Sequence, residues 1–322
     1  LDARAGKGGW THHLTTIEDA VRMGLVEKIN ATRGTNFTRE GFIQDCRNRS
    51  RDEATYQEAY MCNPKGGTAA IVPWSQIALC MLDYQAERAH LEEKQIFELF
   101  GEFRPERKPA RDARIKEWLR GAFPKLYAAT ARHTLGYDVA ASGQGDLACV
   151  YVDEATAMNS TARGLLTFRT QDWDFHDVVT RDLMQNLVAV RGAGDGTGLG
   201  AKICWELEKY FSGRFESVNF ASLKSDLGMG LMSRLSTAEK RFPKEWADVA
   251  TDYYAIRKTF VGKKWVFTAG TNTLNQNSHC DMAWAGALSD RGGVNAGYVG
   301  DTGDIQAWGK ELGRGSTRAL EG

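Results

Sequence analysis

Residues 135–155 read LGYDVAASGQGDLACVYVDEA and predict two strands joined by a tight turn. Leu, Tyr and Val alternate with smaller or polar residues over the first six positions, which is the period of a strand. The glycines at 143 and 145 suit a tight reversal, and residues 147–152 are apolar enough for a strand buried on both faces. Asp138 falls at the end of the first strand, where a buried acid is costly unless it is paired or binds a metal. A backbone turn or an arginine would also satisfy this carboxylate.

The composition of the chain bounds its function. Its 322 residues are enough for one large domain or two smaller ones, and 41 Lys and Arg balance 41 Asp and Glu. A nucleic-acid surface would therefore need local clustering of charge. No apolar run reaches transmembrane length, so we expect a soluble, intracellular protein with no membrane partner. Six cysteines occur singly without CxxC pairs, which argues against a zinc site and a disulfide scaffold: Cys46, Cys62, Cys80, Cys149, Cys204 and Cys280.

Residues 1–68 predict a polar, mostly irregular segment. Residues 16–23 (TIEDAVRM) predict a short amphipathic helix, because Thr16 can cap it and two acids follow in its first turn. A second helix is predicted over residues 51–61, where NPKGG closes it. The glycines at 6, 8 and 9 lack the spacing of a phosphate-binding loop, and we exclude that function.

Residues 69–130 predict a helical connector. The pattern is helical over residues 74–103, and apolar residues recur on one helix face over 115–123. Residues 104–116 carry six basic side chains against two acidic ones. For this run we favour a solvated linker and helix face, the usual role of such charges, over a patch that contacts phosphates.

Downstream of the opening hairpin, strands and helices alternate in the order β-β-β-α-β-α, and residues 291–322 predict a flexible Gly-rich tail. The predicted elements are a strand over 163–169, a helix over 177–188, an apolar run over 187–190 leading into the Gly-rich run 191–200, a helix over 201–211, a strand over 217–220, a helix over 223–241, a strand over 263–268 and a last helix from 282.

Asp195 lies within a run that has glycine at positions 192, 194, 196, 198 and 200. The segment from Gly196 to Ala201 follows an apolar run and opens a helix, as a dinucleotide fingerprint does. However, the acid stands where a pyrophosphate would have to pass, and the like charges would repel. We favour the alternative in which Asp195 is a bare carboxylate at a strand end, with glycines clearing room for an ion or a substrate backbone.

Asp281 stands at the start of the last predicted helix, in the run NSHCD at 277–281. Capping that helix is the common role of an Asp at this position. His279 is an additional candidate, as a ligand, as a partner of a ligand or as an ordinary loop histidine.

Asp138, Asp195 and Asp281 each follow a strand or open a helix, and the predicted order can bring them to one edge of a sheet. Clustered carboxylates repel each other unless cations neutralise them, and ligands made only of oxygen suit Mg²⁺ or Mn²⁺ rather than Zn²⁺. Two such ions about 3.5–4 Å apart are a common device for cutting phosphodiesters. The three acids therefore predict a metal-dependent hydrolytic site.

Three segments, taken as a set, resemble the acidic motifs of the nuclease domain in the large terminase subunit of tailed bacteriophages, most closely its Mu-like branch. The segments are GYDVAASGQGD at 136–146, GAGDGTGLG at 192–200 and SHCDMAWAGALS at 278–289. Upstream, TTIEDAVRMGL at 15–25 and YQEAYMC at 56–62 resemble more weakly the stretch that closes the ATPase domain of that family.

The resemblance implies an α/β fold with an RNase H-like mixed sheet flanked by helices over residues 131–290, preceded by the end of an ATPase-like domain over 1–68. It implies a metal-dependent endonuclease that cuts double-stranded DNA while a phage genome is packaged, with two Mg²⁺ or Mn²⁺ ions. Asp138 then corresponds to the metal ligand of the first strand. Asp195 corresponds to the second acid, and Asp281 to the acid before the last helix. Asp146 matches a further acid of the opening hairpin.

The implied partners are DNA, the portal or procapsid, the small terminase subunit and, in a complete motor, other copies of the chain. The implied location is the cytoplasm of an infected bacterium. Arg191 and Lys202 flank the second acid in the sequence and are our candidates for contacts with DNA phosphates. The Walker A loop and acidic Walker B strand of the family motor are absent. Since the chain begins at Leu1, we expect a fragment that lacks most of the motor, or a chain that cannot hydrolyse ATP alone.

Three alternatives remain open at the level of sequence. A resolvase or transposase-like enzyme of the RNase H class needs the same acids. A nicotinamide-dependent oxidoreductase would use the segment from Gly196 to Ala201. A non-catalytic assembly module would dock to a portal or capsid through the Gly-rich tail.

Overall fold

The structure is a computed structural model that describes residues 13–50, 56–57, 59–62, 69–142, 146–156, 158–188, 190–261, 264–270 and 279–295. The chain forms two compact units, Leu1–Ala69 and Ala70–Gly322. None of the helices that the structure describes is both long and apolar enough to cross a lipid bilayer.

In the part of the first unit that the structure describes, there are three short helices, α1 (Ile17–Arg22), α2 (Leu25–Arg33) and α3 (Arg39–Arg49). Thr16 caps α1, since its hydroxyl accepts from the amide of Asp19 at 3.1 Å while the Asp19 carboxylate accepts from the amide of Thr16 at 3.1 Å. The helix predicted over 16–23 is therefore confirmed. The helix predicted over 51–61 lies largely outside the described residues.

The second unit is built on an eight-stranded mixed sheet. Its order is β2-β9-β6-β5-β4-β7-β8, and β3 pairs with β6 beside β9. Of the strands that the structure describes in this sheet, β5 alone runs antiparallel to β4. The strands of the chain are β1 (Ala69–Ala70), β2 (Met81–Leu82), β3 (Glu87–Leu91), β4 (His133–Asp138), β5 (Ala148–Ala155), β6 (Ser160–Phe168), β7 (Arg191–Asp195), β8 (Phe215–Val218), β9 (Lys240–Pro243), β10 (Arg257–Val261) and β11 (Lys264–Thr268).

The central strands identify the fold class. Strands β4, β5 and β6 form an antiparallel meander, after which β7 and β8 add in parallel on the other side of β4. In chain order this is 3-2-1-4-5, which is the arrangement of an RNase H-like sheet. The predicted α/β fold with a mixed sheet flanked by helices is confirmed.

Helices cover both faces of this sheet, because residues along β5 alternate between two cores. Val150 packs in the core formed with α5 to α9, and Cys149 packs in the core formed with α4 and α10 to α12. The helices are α4 (Trp74–Cys80), α5 (Glu93–Phe100), α6 (Lys108–Ala122), α7 (Pro124–Ala128), α8 (Trp173–Asn186), α9 (Ala201–Tyr210), α10 (Phe220–Ser236), α11 (Ala247–Ala255) and α12 (Asp281–Asn295). Strands β10 and β11 form an antiparallel ribbon outside the eight-stranded sheet.

Helix α12 lies directly on the middle of the sheet. A Cβ atom on Gly136 of β4 would stand 1.8 Å from the carbonyl oxygen of Ala285, and one on Gly292 would stand 2.9 Å from the Cα of Gly192 in β7. Only glycine permits this separation, so backbone lies against backbone at both places. The position of α12 relative to β4 and β7 is therefore fixed closely.

A buried cluster of charges holds the other end of α12. The ammonium of Lys240 in β9 donates to Asp153 at 2.6 Å, to Asp290 at 3.1 Å and to the carbonyl of Gly286 at 3.1 Å. Lys240 and Asp153 are fully buried. Burial raises the pKa of Asp153, and the charge of Lys240 opposes this rise. Because removing one partner would leave a buried charge unpaired, the cluster specifies where α12 meets β5 and β9.

Residues 74–103 are not continuously helical, in contrast to the prediction. Strands β2 and β3 interrupt the helices there, and β3 pairs in parallel with β6. Burial alternates along β3, as expected for a strand at the border of a sheet. Residues 69–130 therefore contribute strands to the sheet and are not a connector made of helices alone.

Three further predictions need correction. The helix predicted over 223–241 ends at Ser236, and β9, α11 and β10 follow it without having been predicted. The strand expected from the apolar run 187–190 is instead the Gly-rich segment Arg191–Asp195. A Cβ atom on Gly194 would stand 2.7 Å from the sulfur of Cys204, so packing against α9 requires glycine there. Residues 291–295 belong to α12, and the rest of the predicted tail lies outside the described residues.

The basic run 104–116 is used inside the second unit. Arg111 is 3% exposed, and its guanidinium binds the carboxylates of Asp172 and Asp174. Lys108 also binds Asp174, as well as Asp112 at 3.2 Å. We favoured a structural role for this run over contacts with phosphates. However, Lys108 and Arg111 form salt bridges and are at least partly buried, whereas we expected them to be solvated.

Candidate active site

Asp138 and Asp195 end two neighbouring parallel strands. The last paired residues of β4 and β7 are Tyr137 and Gly194, so Asp138 and Asp195 occupy the next position on each strand. Adjacent strands lie about 4.8 Å apart, which places the two backbones close together at the carboxyl edge of the sheet. This edge, where β4, β7 and β8 end, is called the acid edge below.

Asp281 reaches the acid edge from α12, where it is the first residue. Its side chain is buried, and its carboxylate accepts a hydrogen bond from the amide of Leu147 at 3.4 Å. Leu147 directly precedes β5, and Cys149 of β5 pairs with Asp138. The structure therefore brings the three acids predicted from the sequence to one side of the sheet.

Asp252 is an acid at this site that the sequence analysis missed. It is fully buried in α11, and its carboxylate accepts from the amide of Met282 at 3.1 Å, so Asp252 satisfies the N-terminus of α12. The helix cap that we considered for Asp281 is therefore provided by Asp252 of α11. No signal pointed to Asp252, because α11 itself was not predicted.

Negative charge accumulates at the acid edge without matching positive charge. Burial, followed by the charges of Asp281, Asp195 and Asp146, raises the pKa of Asp138 well above its usual range, and Lys224 opposes this rise. Burial and then the charge of Asp252 raise the pKa of Asp281 to about 7. A site with these properties favours a cation.

The loop after β7 orients Asp195. Its carboxylate accepts from the amide of Thr197 at 2.8 Å and from the Thr197 hydroxyl. The glycines of this loop make close backbone approaches, since a Cβ atom on Gly200 would stand 2.1 Å from the carbonyl oxygen of Asp195 and one on Gly196 would stand 2.2 Å from the hydroxyl of Ser217. The amide of Thr197 thus binds the carboxylate, which weakens the dinucleotide-binding alternative.

Asp146 and His279 form an exposed pair beside the acid edge. The His279 Nδ1 lies 3.1 Å from an Asp146 oxygen, and the side chains are 70% and 57% exposed, respectively. Their charges act on Asp281, whose pKa is raised by Asp146 and lowered by His279, after the larger effect of burial. Both additional candidates therefore lie close enough to affect the site electrostatically.

The two candidate DNA contacts lie in different places. Arg191 begins β7, about 13 Å from Asp195 at roughly 3.3 Å per residue, and it donates to the carbonyl of Gly213 at 3.3 Å. Arg191 is therefore near Asp195 in the sequence but distant from it in the structure, because the strand is extended. Lys202 is exposed in the first turn of α9, which follows the Asp195 loop. It lines a groove of about 370 Å³ together with Trp173, Asp177, Leu199, Ile203 and Glu206.

Three buried cysteines surround the acids. Cys149 pairs with Asp138 across the strands, the Cys204 thiol donates to the carbonyl of Asp195 at 3.3 Å, and Cys280 precedes Asp281. Burial, followed by the nearby carboxylates, raises the pKa of each of these thiols, for Cys280 to about 12. These buried thiols lie next to the acids, whose carboxylates are the hard oxygen donors of the acid edge.

The donor chemistry of the acid edge fits Mg²⁺ or Mn²⁺. Carboxylate oxygens are the ligands these ions prefer, and burial, followed by the charges of Asp281 and Asp195, raises the pKa of Asp138. Within the part of the chain that the structure describes, no three His, Cys, Asp or Glu side chains are arranged to hold a metal ion. Rotation of the acidic side chains would be needed to complete a ligand set.

No protein-family model and no curated protein matches this chain. Among solved structures, it is similar to the large terminase nuclease from thermophilic phage G20c, with 15% identity and a TM-score of 0.40 over 50% of this chain and 81% of that one. The magnesium-bound form of that nuclease gives 14% identity and a TM-score of 0.42 over 69% and 96%. The Thermus phage P74-26 large terminase nuclease domain gives 16% identity and a TM-score of 0.36 over 49% and 77%. The fold assignment above rests on the strand order of this chain.

Proposed function

We propose that this chain is a metal-dependent endonuclease that hydrolyses phosphodiester bonds of double-stranded DNA. The observation that carries the proposal is the acid edge, where Asp138 and Asp195 end adjacent parallel strands and Asp281 opens the helix packed on them. Burial, followed by the charges of Asp281 and Asp195, raises the pKa of Asp138, which indicates that the three carboxylates interact. A site of this kind is expected to bind divalent cations and, through them, a phosphodiester.

Asp138, Asp195 and Asp281 would hold two Mg²⁺ or Mn²⁺ ions. When bound, such ions supply Lewis-acid charge to a phosphodiester and to a water molecule. The chain supplies the orientation of the acids: Thr197 binds the Asp195 carboxylate, and the Leu147 amide binds that of Asp281. In this role the three residues would act as carboxylate ligands, which bind a metal ion in their ionised form.

We further propose that the reaction takes place during packaging of a phage genome, in the cytoplasm of an infected bacterium. The support is the resemblance of segments 136–146, 192–200 and 278–289 to the acidic motifs of terminase nucleases, most closely those of the Mu-like branch. The proposed partners are double-stranded DNA, the portal or procapsid, the small terminase subunit and other copies of the chain. Lys202 remains a proposed DNA contact, since it is exposed close to the loop that carries Asp195.

A plasmid-cleavage assay tests the proposal. Wild-type chain is incubated with supercoiled plasmid in Mn²⁺, Mg²⁺ or EDTA, beside Asp138→Asn and the control Asp226→Asn, which changes an exposed acid of α10. We expect cleavage only with metal, a loss of about 100-fold or more in Asp138→Asn and no change in the control. Four-way junctions serve as a second substrate, and a strong preference for them would favour a resolvase.

Cleavage that persists in EDTA, or that Asp138→Asn leaves at the wild-type rate, would contradict the proposal. If no metal supports cleavage, binding of Mn²⁺ measured by calorimetry decides. If Mn²⁺ binds to the wild type but not to Asp138→Asn, the acid edge is a metal site. If Mn²⁺ does not bind to the wild type, the acid edge is not a metal site.

A further inference from the structure

Lys224 lies beside the acid edge in an aromatic setting. It is a half-buried residue of α10, and its ammonium stands 5.0 Å from the ring centroid of Trp284 and 5.3 Å from that of Phe220. The two rings meet edge to face with centroids 5.1 Å apart. Aromatic rings attract a cation at such distances and restrict its position. The ammonium is therefore held in place by rings rather than by a carboxylate.

The charge of Lys224 is not used by a salt bridge within the described part of the chain. Two other cations of the second unit do form salt bridges, Lys240 with Asp153 and Arg88 with Asp248. Lys224 forms no such pair with a described residue, although several acids lie near it. Since aromatic contacts leave the hydrogen-bonding capacity of an ammonium unsatisfied, Lys224 can still bind an anion.

The aromatic contact places Lys224 next to the proposed metal ligands. Trp284 follows Asp281 by one helical turn on α12, and residues three apart share a helix face. The charge of Lys224 also reaches Asp138, whose pKa it lowers against the larger raising effect of burial. A cation in this position is close enough to the acids to interact with them electrostatically.

We propose that Lys224 binds a backbone phosphate of the DNA strand at the acid edge. This assignment rests on the proposed nuclease function and adds a substrate-contacting residue to it. Carboxylates repel a phosphodiester, and a fixed cation beside them lowers this repulsion. The ammonium also stabilises the additional negative charge that develops on the phosphate during cleavage.

Lys209 provides a matched control. Its ammonium stands 5.1 Å from the ring centroid of Trp205, so it too is a lysine over an indole, but it is exposed near the end of α9. The variants are Lys224→Met, Lys224→Arg and Lys209→Met. Methionine keeps an unbranched stem on the rings without the charge, and arginine keeps the charge.

Two readouts test the proposal. Binding to a duplex of 30 base pairs is followed by fluorescence anisotropy in Ca²⁺ over a range of salt concentrations. We expect Lys224→Met to reduce the slope of log K against log salt by about 0.9, as the loss of one phosphate contact does, and Lys209→Met to leave it unchanged. In Mn²⁺, we expect Lys224→Met to lower kcat/KM for plasmid cleavage by about 10- to 100-fold, with partial rescue in Lys224→Arg.

The outcomes separate the two proposals. If the wild type cuts plasmid, Asp138→Asn does not, and Lys224→Met matches the wild type in slope and rate, then Lys224 is not a phosphate ligand and the nuclease proposal stands. A loss of activity in Lys224→Met that follows a lowered melting temperature, with no rescue by arginine, would also overturn the assignment. If the wild type binds no metal, the nuclease proposal fails. If the salt dependence of DNA binding is also unchanged in Lys224→Met, the proposed phosphate contact fails as well.

Discussion

Tyr137, the residue before Asp138, is fixed by a buried hydrogen bond to His176. The two side chains are fully buried, and the Tyr137 oxygen lies 2.5 Å from His176 Nδ1. His176 Nε2 lies 3.2 Å from the carbonyl oxygen of Thr170, so Nε2 carries the proton and Nδ1 accepts from the tyrosine. This arrangement requires a neutral imidazole, and burial lowers the pKa of His176 from 6.5 to about 4.

The stability of the second unit is therefore predicted to fall in mild acid. Between pH 6.5 and 4 the unfolded chain binds a proton at His176 that the folded chain does not. The stabilisation of the folded chain that depends on neutral His176 is therefore complete above about pH 6.5, and it is lost as the pH falls toward 4. The shift corresponds to about 3 kcal/mol. Urea unfolding at pH 7 and pH 4.5 measures this change in the free energy of unfolding. We expect His176→Gln to lose less stability between the two pH values than the wild type.

His13→Gln serves as the control, because His13 is an exposed residue of the first unit. Its loss of stability between the two pH values should equal that of the wild type. An equal loss in His176→Gln and the wild type would show that the folded chain accepts a proton at His176 without penalty.

At the residue level, the sequence pointed to acids that end a strand or open a helix, and their roles as metal ligands stay predictions. Asp138, Asp195 and Asp281 were found in this way, and the structure brings them to one edge. Asp252 gave no such signal, since it lies in a helix that is buried almost throughout and has no polar face. Lys224 was missed because only the fold brings α10 beside Trp284.

At the scale of elements, the contact of α12 with β4 is the most demanding in the site. It requires Gly136, whose Cβ would stand 1.8 Å from the Ala285 carbonyl oxygen and 2.3 Å from the amide nitrogen of Ser289. We expect Gly136→Ala to force α12 away from the sheet and to lower the free energy of unfolding by about 3 kcal/mol or more. Denaturant unfolding measures this change, and cleavage should fall with it as Asp281 moves.

Gly121→Ala is the matched control within a helix. Nothing lies within 4 Å of a Cβ atom built on Gly121 in α6, and its backbone is helical. Alanine there should stabilise the protein by up to about 1 kcal/mol. If both substitutions changed stability by similar amounts, the close approach of α12 to β4 would not be a constraint.

Elements were misassigned where tertiary contacts outweigh local preference. Strand β7 contains Gly192 and Gly194, which disfavour strands, yet its position between β4 and β8 and the nearness of Phe215 require small residues. Strand β3 lies between helices and is held by its pairing with β6, which a pattern read along the chain does not contain. The two antiparallel strands of the opening hairpin were predicted correctly, because their pattern is local, and residues 143–145 of the predicted turn lie outside the described part of the chain.

At the scale of the whole molecule, the core shows which residues the sheet needs. To the core on one face of the sheet, residues 70–130 supply seven large buried apolar side chains: Leu91, Ile96, Phe100, Ile115, Leu119, Phe123 and Leu126. At about 1.5–3 kcal/mol each, their burial contributes on the order of 10 kcal/mol, comparable to the whole stability of a domain.

A chain of residues 70–322 is therefore predicted to fold and to cut DNA with metal, whereas residues 131–322 should not fold cooperatively. Circular dichroism during thermal unfolding distinguishes the two chains, since residues 70–322 should give a cooperative transition and residues 131–322 a gradual one. A cooperative transition from 131–322 would show that the segment before β4 is a separate connector, as the sequence alone suggested.

The direct contact of α12 with the sheet also bears on which ions the site accepts. Asp138 and Asp281 belong to two elements that touch through backbone atoms at Gly136, so substitutions of core side chains cannot change the distance between them. Asp195, in contrast, ends a strand that continues into a Gly-rich loop. Mg²⁺ binds oxygen ligands at about 2.1 Å and Ca²⁺ at about 2.4 Å, and discrimination between such ions by the proposed site is thus expected to depend on this loop. Lineages that change metal preference should change residues 196–200 before they change β4 or α12.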